Sequence, residues 1–312
     1  MTLTRIEGAS HMGISLGANQ YGKAENRVVR VYRDTPRHEL VDLNVSTSLR
    51  GDFADAHATG DQAHVLPTDT QKNTAFAFAK RHGVSSPEDY AIALGRRFLE
   101  AAPKAHSAQI RVEQYPWDRI PTGPDGHDHA FVRRGDGTRT TVVTVSDRGD
   151  AEHVSVVSGL TDLTLLKSTG SEFKGYLKDE YTTLQETDDR IMATSLVARW
   201  RYASTDVDWN SSYDSIRATL LETFATTYSR ALQETLYLMG TRALESHDDV
   251  VEIRFSAPNK HHFLVDLEPF GLTNDGEVFI AADRPYGLIE ATVARDDAPD
   301  ARDAWLAVPA FA

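Results

Sequence analysis

Six stretches of this chain carry side chains able to bind an anion or move a proton. Tyr21-Gly22-Lys23 puts a lysine at the entry to the first predicted strand. Such a lysine becomes a base only where burial or a cationic neighbour favours its neutral form; a solvated strand edge is its ordinary setting. Thr68-Asp69 opens one predicted helix, and Leu232-Gln233 stands in the opening turn of another. Backbone N–H groups at helix starts bind anions without any charged side chain, although ordinary capping uses the same residue types. His127-Asp128-His129 and Pro258-Asn259-Lys260-His261-His262 present imidazoles in pairs. Neither pair has third and fourth ligands at a recognisable spacing, so no metal site is assigned.

The sixth stretch is Leu163 to Ile191, LTLLKSTGSEFKGYLKDEYTTLQETDDRI. Its first four residues read as a buried strand. Between Lys167 and Asp189 neither a strand period nor a helix period explains the polar choices. A long patternless segment inside a compact chain is more often functional than a spacer. Phe173, Tyr176, Leu177, Tyr181 and Leu184 are spread through it and are expected to be buried. No Walker motif, G-x-S-x-G elbow or H-E-x-x-H helix is present. Gly135-Asp136-Gly137 lacks the rest of a dinucleotide fingerprint and reads as a hairpin turn.

Composition narrows the partners. The 312 residues suffice for two domains of ordinary size. A net charge of −13 repels phosphate backbones and argues against nucleic acid, while leaving room for a small anion in a locally positive pocket. No apolar run approaches the roughly 20 residues of a membrane span, and the N-terminus has no apolar core of a secretory signal. With no cysteine there is no disulfide, thiolate nucleophile or Cys-bound zinc, which fits a reducing compartment. The ending Ala310-Phe311-Ala312 is not a peroxisomal S-K-L address. A bacterial-type cytoplasmic location is the expectation.

The elements that must position these residues follow in order. Residues 1–14 are polar and expected to fray. Strands are predicted over 26–33 and 38–46, where Val41, Leu43 and Val45 alternate with Asp42, Asn44 and Ser46. A loop, a helix capped by Thr68-Asp69 and ending near Arg81, and a helix with Ser86 as cap and Pro87 as first residue come next. Strands over 106–117 and 130–146 flank a turn-rich loop at 121–126. From about Glu152 the order repeats: strands over 153–167 and 190–202, two helices within 211–247 with Ser229 capping the second, then strands over 250–256, 261–267 and 288–295. Both halves read strand, strand, helix, helix, strand, strand. This is an α+β pattern of two repeats, each an antiparallel sheet with a helix pair on one face. The tail 296–303 is acidic, and Trp305 to Ala312 is expected to dock as an apolar anchor.

The segment 163–191 closely resembles the signature of urate oxidase (uricase). NQYGKAENRV (19–28), TDTQKNT (68–74), ALQETLYLMG (231–240), PNKHHFLVDL (258–267) and RPYGLIEATV (284–293) match in family order, over roughly residues 15 to 295. HDHAF (127–131) and Leu232 fit the bacterial branch. The resemblance implies a tunnelling fold (T-fold) of two ββααββ units, 15–148 and 149–295, with a tail at 296–312, assembled as a homotetramer whose sites lie at subunit interfaces. It implies oxidation of urate by O2 and water to 5-hydroxyisourate and hydrogen peroxide, with no metal or organic cofactor. Arg190 and Gln233 would grip the purine edge, Phe173 would stack on the ring, and the Leu232 N–H would add a donor. Thr68 and the backbone of Asp69 would come from the facing subunit. Asn259 would hold dioxygen or water, and Lys23, Thr68 and His261 would relay protons. Two other readings are a different T-fold enzyme of purines or pterins and a non-catalytic purine-binding protein. A zinc-dependent cyclohydrolase wants Cys ligands, which this chain lacks.

Overall fold

The computed structural model describes residues 13–147 and 151–306. These fall into two compact units: one up to Arg134 plus Thr140–Val156, the other Gly135–Arg139 plus the chain from Val157 on. Most of the expected frayed N-terminus, and the apolar anchor beyond Leu306, lie outside the described residues.

In the first unit, β1 (Asn26–Tyr32) pairs antiparallel with β2 (Glu39–Gly51), and β2 pairs antiparallel with β3 (Ala105–Gln114). A short helix α1 (Ala54–Ala58) follows β2 in what reads from sequence as loop. Helices α2 (Thr68–Arg81) and α3 (Pro87–Ala101) come next. β4 (Trp117–Arg119) and β5 (Phe131–Arg133) form a two-stranded side sheet, and β6 (Thr138–Asp147) completes the order β1-β2-β3-β6. Gly135-Asp136-Gly137 links β5 to β6, which do not pair with each other, so it is a connection and not a hairpin turn. From Leu43 to Leu49 every second residue of β2 is buried, as its alternation predicts. Asp42 departs from that pattern: it is buried, and Arg27 and the Trp117 indole N–H both donate to its carboxylate.

The second unit carries β7 (Glu152–Lys167), β8 (Met192–Tyr202), β9 (Val250–Leu264) and β10 (Phe279–Ala294) in that spatial order, each neighbouring pair antiparallel. Helices α4 (Trp209–Thr226) and α5 (Leu232–Ser246) stand between β8 and β9, and a one-turn 3-10 helix, Glu268–Phe270, follows β9. Leu196, Trp200, Ile216, Leu220 and Phe255 are fully buried between sheet and helices. Each such side chain contributes roughly 2 kcal/mol of hydrophobic stabilisation. The two units share a packing device. In α3, a Cβ on Gly95 would stand 2.6 Å from Val145 Cγ2 on β6; in α5, a Cβ on Gly240 would stand 2.6 Å from Val293 Cγ2 on β10. In both, glycine lets the second helix settle onto the last strand.

Several sequence expectations change. Pro258 to His262 does not join two strands: β9 runs unbroken through Pro258, with Thr194 and Gly287 opposite Asn259 on the two sides. β10 starts well before 288, with an irregularity between Ala282 and Gly287. Thr68 is the first helical residue of α2 and not its cap; Pro67 holds the cap position with no side-chain hydrogen bond. Ser229 does not cap α5, which begins behind Ala231. Ser86 does cap α3, its Oγ accepting from the Asp89 N–H at 3.0 Å.

The patternless segment folds back on itself as an arm. Phe173 and Thr187 exchange two backbone hydrogen bonds, Lys174 pairs with Asp188, Lys178 with Glu186 at 3.1 Å, and the Tyr176 hydroxyl donates to Leu184 O at 2.6 Å. Phe173 and Tyr176 are half-buried, but the expected burial fails for the other three of its five apolar residues, Leu177 being 95% exposed, Tyr181 81% and Leu184 56%. Polar pairing closes the arm, so those side chains are left pointing outward. The C-terminal segment docks. The Trp305 indole donates to Glu252 at 3.0 Å, Arg254 lies 3.9 Å over its ring, and Arg201 donates to Pro299 O at 2.8 Å. Among the described residues no helix is long and apolar enough to cross a membrane.

Candidate active site

The second unit holds a cavity of about 1050 Å³. Phe173, Arg190, Leu232, Gln233, Asn259 and His261 all line it. They come from three places: the arm, the first turn of α5, and the middle of β9. Asn259 and His261 are two apart on an extended strand, so the pleat puts both on one face.

Arg190 is held from behind. Its backbone N–H donates to Ser171 O at 2.8 Å, its Nε to Ser171 Oγ at 3.4 Å, and its guanidinium sits 5.1 Å over the Phe173 ring. Phe173 in turn stacks on Tyr176, with centroids 5.0 Å apart and planes 15° from parallel. Asp189, the neighbouring acid on the cavity wall, is occupied by hydrogen bonds from the Thr169 hydroxyl (2.9 Å) and the Gly170 N–H (3.1 Å). Arg190 therefore meets the cavity as a positive fork, and its burial lowers its pKa.

At the start of α5 no side chain caps the helix. Glu234, the acid of the first turn, reaches back to Arg230 and its backbone N–H. The helix end thus presents uncapped N–H donors beside Arg190, a setting suited to a flat anion. His261 has its pKa lowered, first by burial, then by the Arg190 charge and by His262. It stays neutral further into acid than a free imidazole, and so can accept a proton near neutral pH.

The first unit holds the other three residues. The segment Tyr21–Lys23 lies along β2: Tyr21 and Leu49 exchange backbone hydrogen bonds at 3.1 and 2.7 Å, and Thr47 N–H donates to Lys23 O at 2.8 Å. The approach is so close that a Cβ on Gly22 would sit 1.8 Å from Thr47 O. Thr47 Oγ1 accepts from the Lys23 N–H at 3.1 Å and donates to the buried Gln71 Oε1 at 2.6 Å. The Tyr21 hydroxyl accepts from the Leu66 N–H at 2.9 Å. These bonds fasten Lys23 to the first turn of α2, where Thr68 and Asp69 stand. The Asp69 carboxylate is held below its usual pKa by a hydrogen bond and ion pair with Lys72, by the Asn73 amide, and by the positive charge of Lys23.

Ser168, Thr183, Gln185, Tyr176, His262 and Ile289 carry no role in the sequence reading, yet all except Tyr176 line the cavity, and Tyr176 backs Phe173. The signal was present for Ile289, which lies inside the RPYGLIEATV match. Thr183 and Gln185 lie within the 163–191 segment. Neither histidine pair gathers a metal-ligand group: among the described residues no cluster of three or more His, Cys, Asp or Glu is placed to hold an ion.

The family model for uricase matches residues 19–144 and 156–290. The uricase of Arthrobacter globiformis is 50% identical over 311 residues, 100% of both chains. That of Dictyostelium discoideum is 35% identical over 280 residues, 89% of this chain and 96% of its own. The crystal structure of the A. globiformis enzyme matches with a TM-score of 0.88 at 52% identity, covering 94% of this chain and 99% of that one. Urate oxidase from Bacillus sp. TB-90 shares the fold at 24% identity, with a TM-score of 0.80 over 89% of this chain and 100% of its own. A family model that runs through both units, and a relative alike from end to end, make this chain a member of the uricase family.

Proposed function

We propose that this chain is a urate oxidase that converts urate, O2 and water to 5-hydroxyisourate and hydrogen peroxide with no metal or organic cofactor. The observation that carries this is the convergence of Phe173, Arg190, Leu232, Gln233, Asn259 and His261 on one cavity. Arg190 and the Gln233 amide grip the purine edge, and the Leu232 N–H adds a donor. Phe173 is the stacking floor, with Tyr176 behind it. Asn259 holds dioxygen or water above the ring. Without a metal, deprotonation of urate to an electron-rich anion is the step that prepares it to give up electrons to O2. Lys23, Thr68 and His261 relay the proton, and Thr68 also pairs with Asn259. The neutral state favoured at His261 supports its place as an acceptor. The hydrogen bonds that tie Lys23 to the α2 start support Lys23 and Thr68 acting together.

The same proposal includes two tandem T-fold units, a homotetramer, and Thr68 and the Asp69 backbone supplied by a second copy of the chain. Supporting this, Leu177, Tyr181, Phe263, Leu264 and Phe270 of the second unit are exposed in the single chain. A surface of that kind is covered by a partner more often than left to water. The Cys-free composition agrees with the cytoplasmic location proposed with it.

The test is direct. Purified protein is incubated with urate in air, loss of the ultraviolet band and peroxide release are followed, and mass is measured in solution. Turnover by a tetramer is expected. A folded tetramer that binds urate and releases no peroxide would favour the non-catalytic purine-binding reading instead.

A further inference from the structure

Two of the segments that supply the cavity residues, the arm and the start of α5, meet at one residue that no role has claimed. Ser229 lies in the link between α4 and α5 and is 0% exposed. Its backbone bridges to the arm: its N–H donates to Gly170 O at 2.9 Å, and its carbonyl accepts from the Glu172 N–H at 2.8 Å. Ser171, which holds Arg190 through both backbone and side chain, stands opposite it in this short parallel pairing. The Ser229 hydroxyl accepts from Thr235 Oγ1 of α5 at 2.8 Å and donates to Met192 Sδ at 3.4 Å, two residues beyond Arg190. Ser171, Ser229 and Thr235 are all fully buried.

We propose that Ser229 is a positioning residue for the substrate clamp: it fixes the distance between the Phe173–Arg190 side and the Leu232–Gln233 side. This rests on the cavity being the urate site. A flat ligand gripped at its edge by a guanidinium and by helix-end donors tolerates little change in their separation, and geometric error of this kind is felt as lost binding. The backbone bonds of Ser229 register the arm against the link. Only its hydroxyl reaches α5. In Ser229→Ala the Thr235 hydroxyl is not stranded, because Ala231 O lies 3.3 Å away as a second acceptor. The variant therefore removes the tie between link and helix without burying an orphaned donor.

The experiment compares wild type with Ser229→Ala, Thr235→Val and Thr235→Ser. It measures urate binding without O2 by calorimetry, steady-state turnover in air, and thermal melting. One lost hydrogen bond of ordinary strength predicts about five-fold weaker urate binding in Ser229→Ala and in Thr235→Val, with KM rising in step and kcat within about two-fold. Thr235→Ser keeps the hydroxyl and is expected to bind as wild type does. The double variant should be no worse than either single one, since both cut the same bond. Unchanged urate affinity with a lowered melting temperature would make the hydroxyl merely a part of the core and overturn the proposal. So would Thr235→Ser binding as weakly as Thr235→Val. That last pair decides the matter alone if Ser229→Ala does not fold. A wild-type chain that fails to bind urate overturns the functional reading instead, so the two failures are told apart.

Discussion

Helix α2 begins behind Pro67 and α5 behind Ala231, and neither residue offers a side-chain acceptor to the first-turn N–H groups. Their neighbours α3 and α4 are capped, by Ser86 and by Asp208. In each pair of long helices one start is sealed and one open, and the open ones carry Thr68-Asp69 and Leu232-Gln233. Their surroundings differ. At α5 the buried Leu232 and the uncapped N–H groups face a cavity with Arg190 on its wall. At α2 the first turn is an outer edge, with Asp69 exposed and occupied by Lys72 and Asn73. In the proposed reading the α5 region is the seat for the anion, within its own unit. The α2 region brings polar groups and a lysine with no enclosing wall from its own first turn. That is the division of labour expected of a site whose binding half and proton-handling half come from different places.

If this contrast holds, mutations in the two regions should part into different kinetic constants. The largest effect is expected from Lys23→Met, which removes the lysine of the proposed proton relay: kcat should fall about 10²- to 10⁴-fold, while anaerobic urate binding stays near that of wild type. Lost binding with retained kcat would reverse the roles assigned to the two regions. Arg190→Gln comes next. It keeps a hydrogen bond but loses the charge, and is expected to weaken urate binding by about 10- to 100-fold, read by calorimetry.

A third prediction concerns pH. The folded pKa of His261 is lowered by burial, by Arg190 and by His262. Its neutral form is therefore the native one, and the stability it contributes is present above the ordinary histidine pKa of about 6.5 and lost as pH falls through the lower folded value. In Arg190→Gln one cause of the lowering is gone, so an NMR titration of the imidazole should show its midpoint moving to higher pH. A midpoint that stays put would separate the two residues electrostatically. The smallest effect is expected from Ala231→Ser, which seals the open start of α5. A serine cap takes the N–H of the second or third helical residue, not that of Leu232, so stability should rise by about 1 kcal/mol in a denaturant titration while KM changes less than about 3-fold.

Much of this was legible without coordinates. Ser86-Pro87 marks the start of α3 because the cap and the first residue each meet a strictly local requirement. The alternation of Leu43, Val45 and Leu49 is a local period that one buried face enforces. Where local signals competed with pairing, they lost. Pro258 lacks an N–H and lies among turn-forming residues, yet ladders with β8 and β10 on either side of it outweigh one missing donor, and β9 continues to Leu264. Ser229 has the chemistry of a cap, but the arm and Thr235 claim its hydrogen bonds first. Leu177, Tyr181 and Leu184 have the composition of core and are left outside by a closure made of polar pairs.

By itself the sequence determined which residue types are available, their order, and their membership of the uricase family, because identity and spacing are properties of a string. It did not place Asn259 and His261 on one face, because the local signals break the strand at 257–260 and only pairing with β8 and β10 carries β9 through. Only the tertiary structure decided that Phe173, Arg190, Leu232 and Gln233 reach the same cavity as that face, and that the helix donors there are open. Those facts depend on contacts between segments far apart in the chain. The Gly240–Val293 contact and the meeting of arm, link and α5 at Ser229 are each settled by which distant partner arrives, and no local rule contains that information.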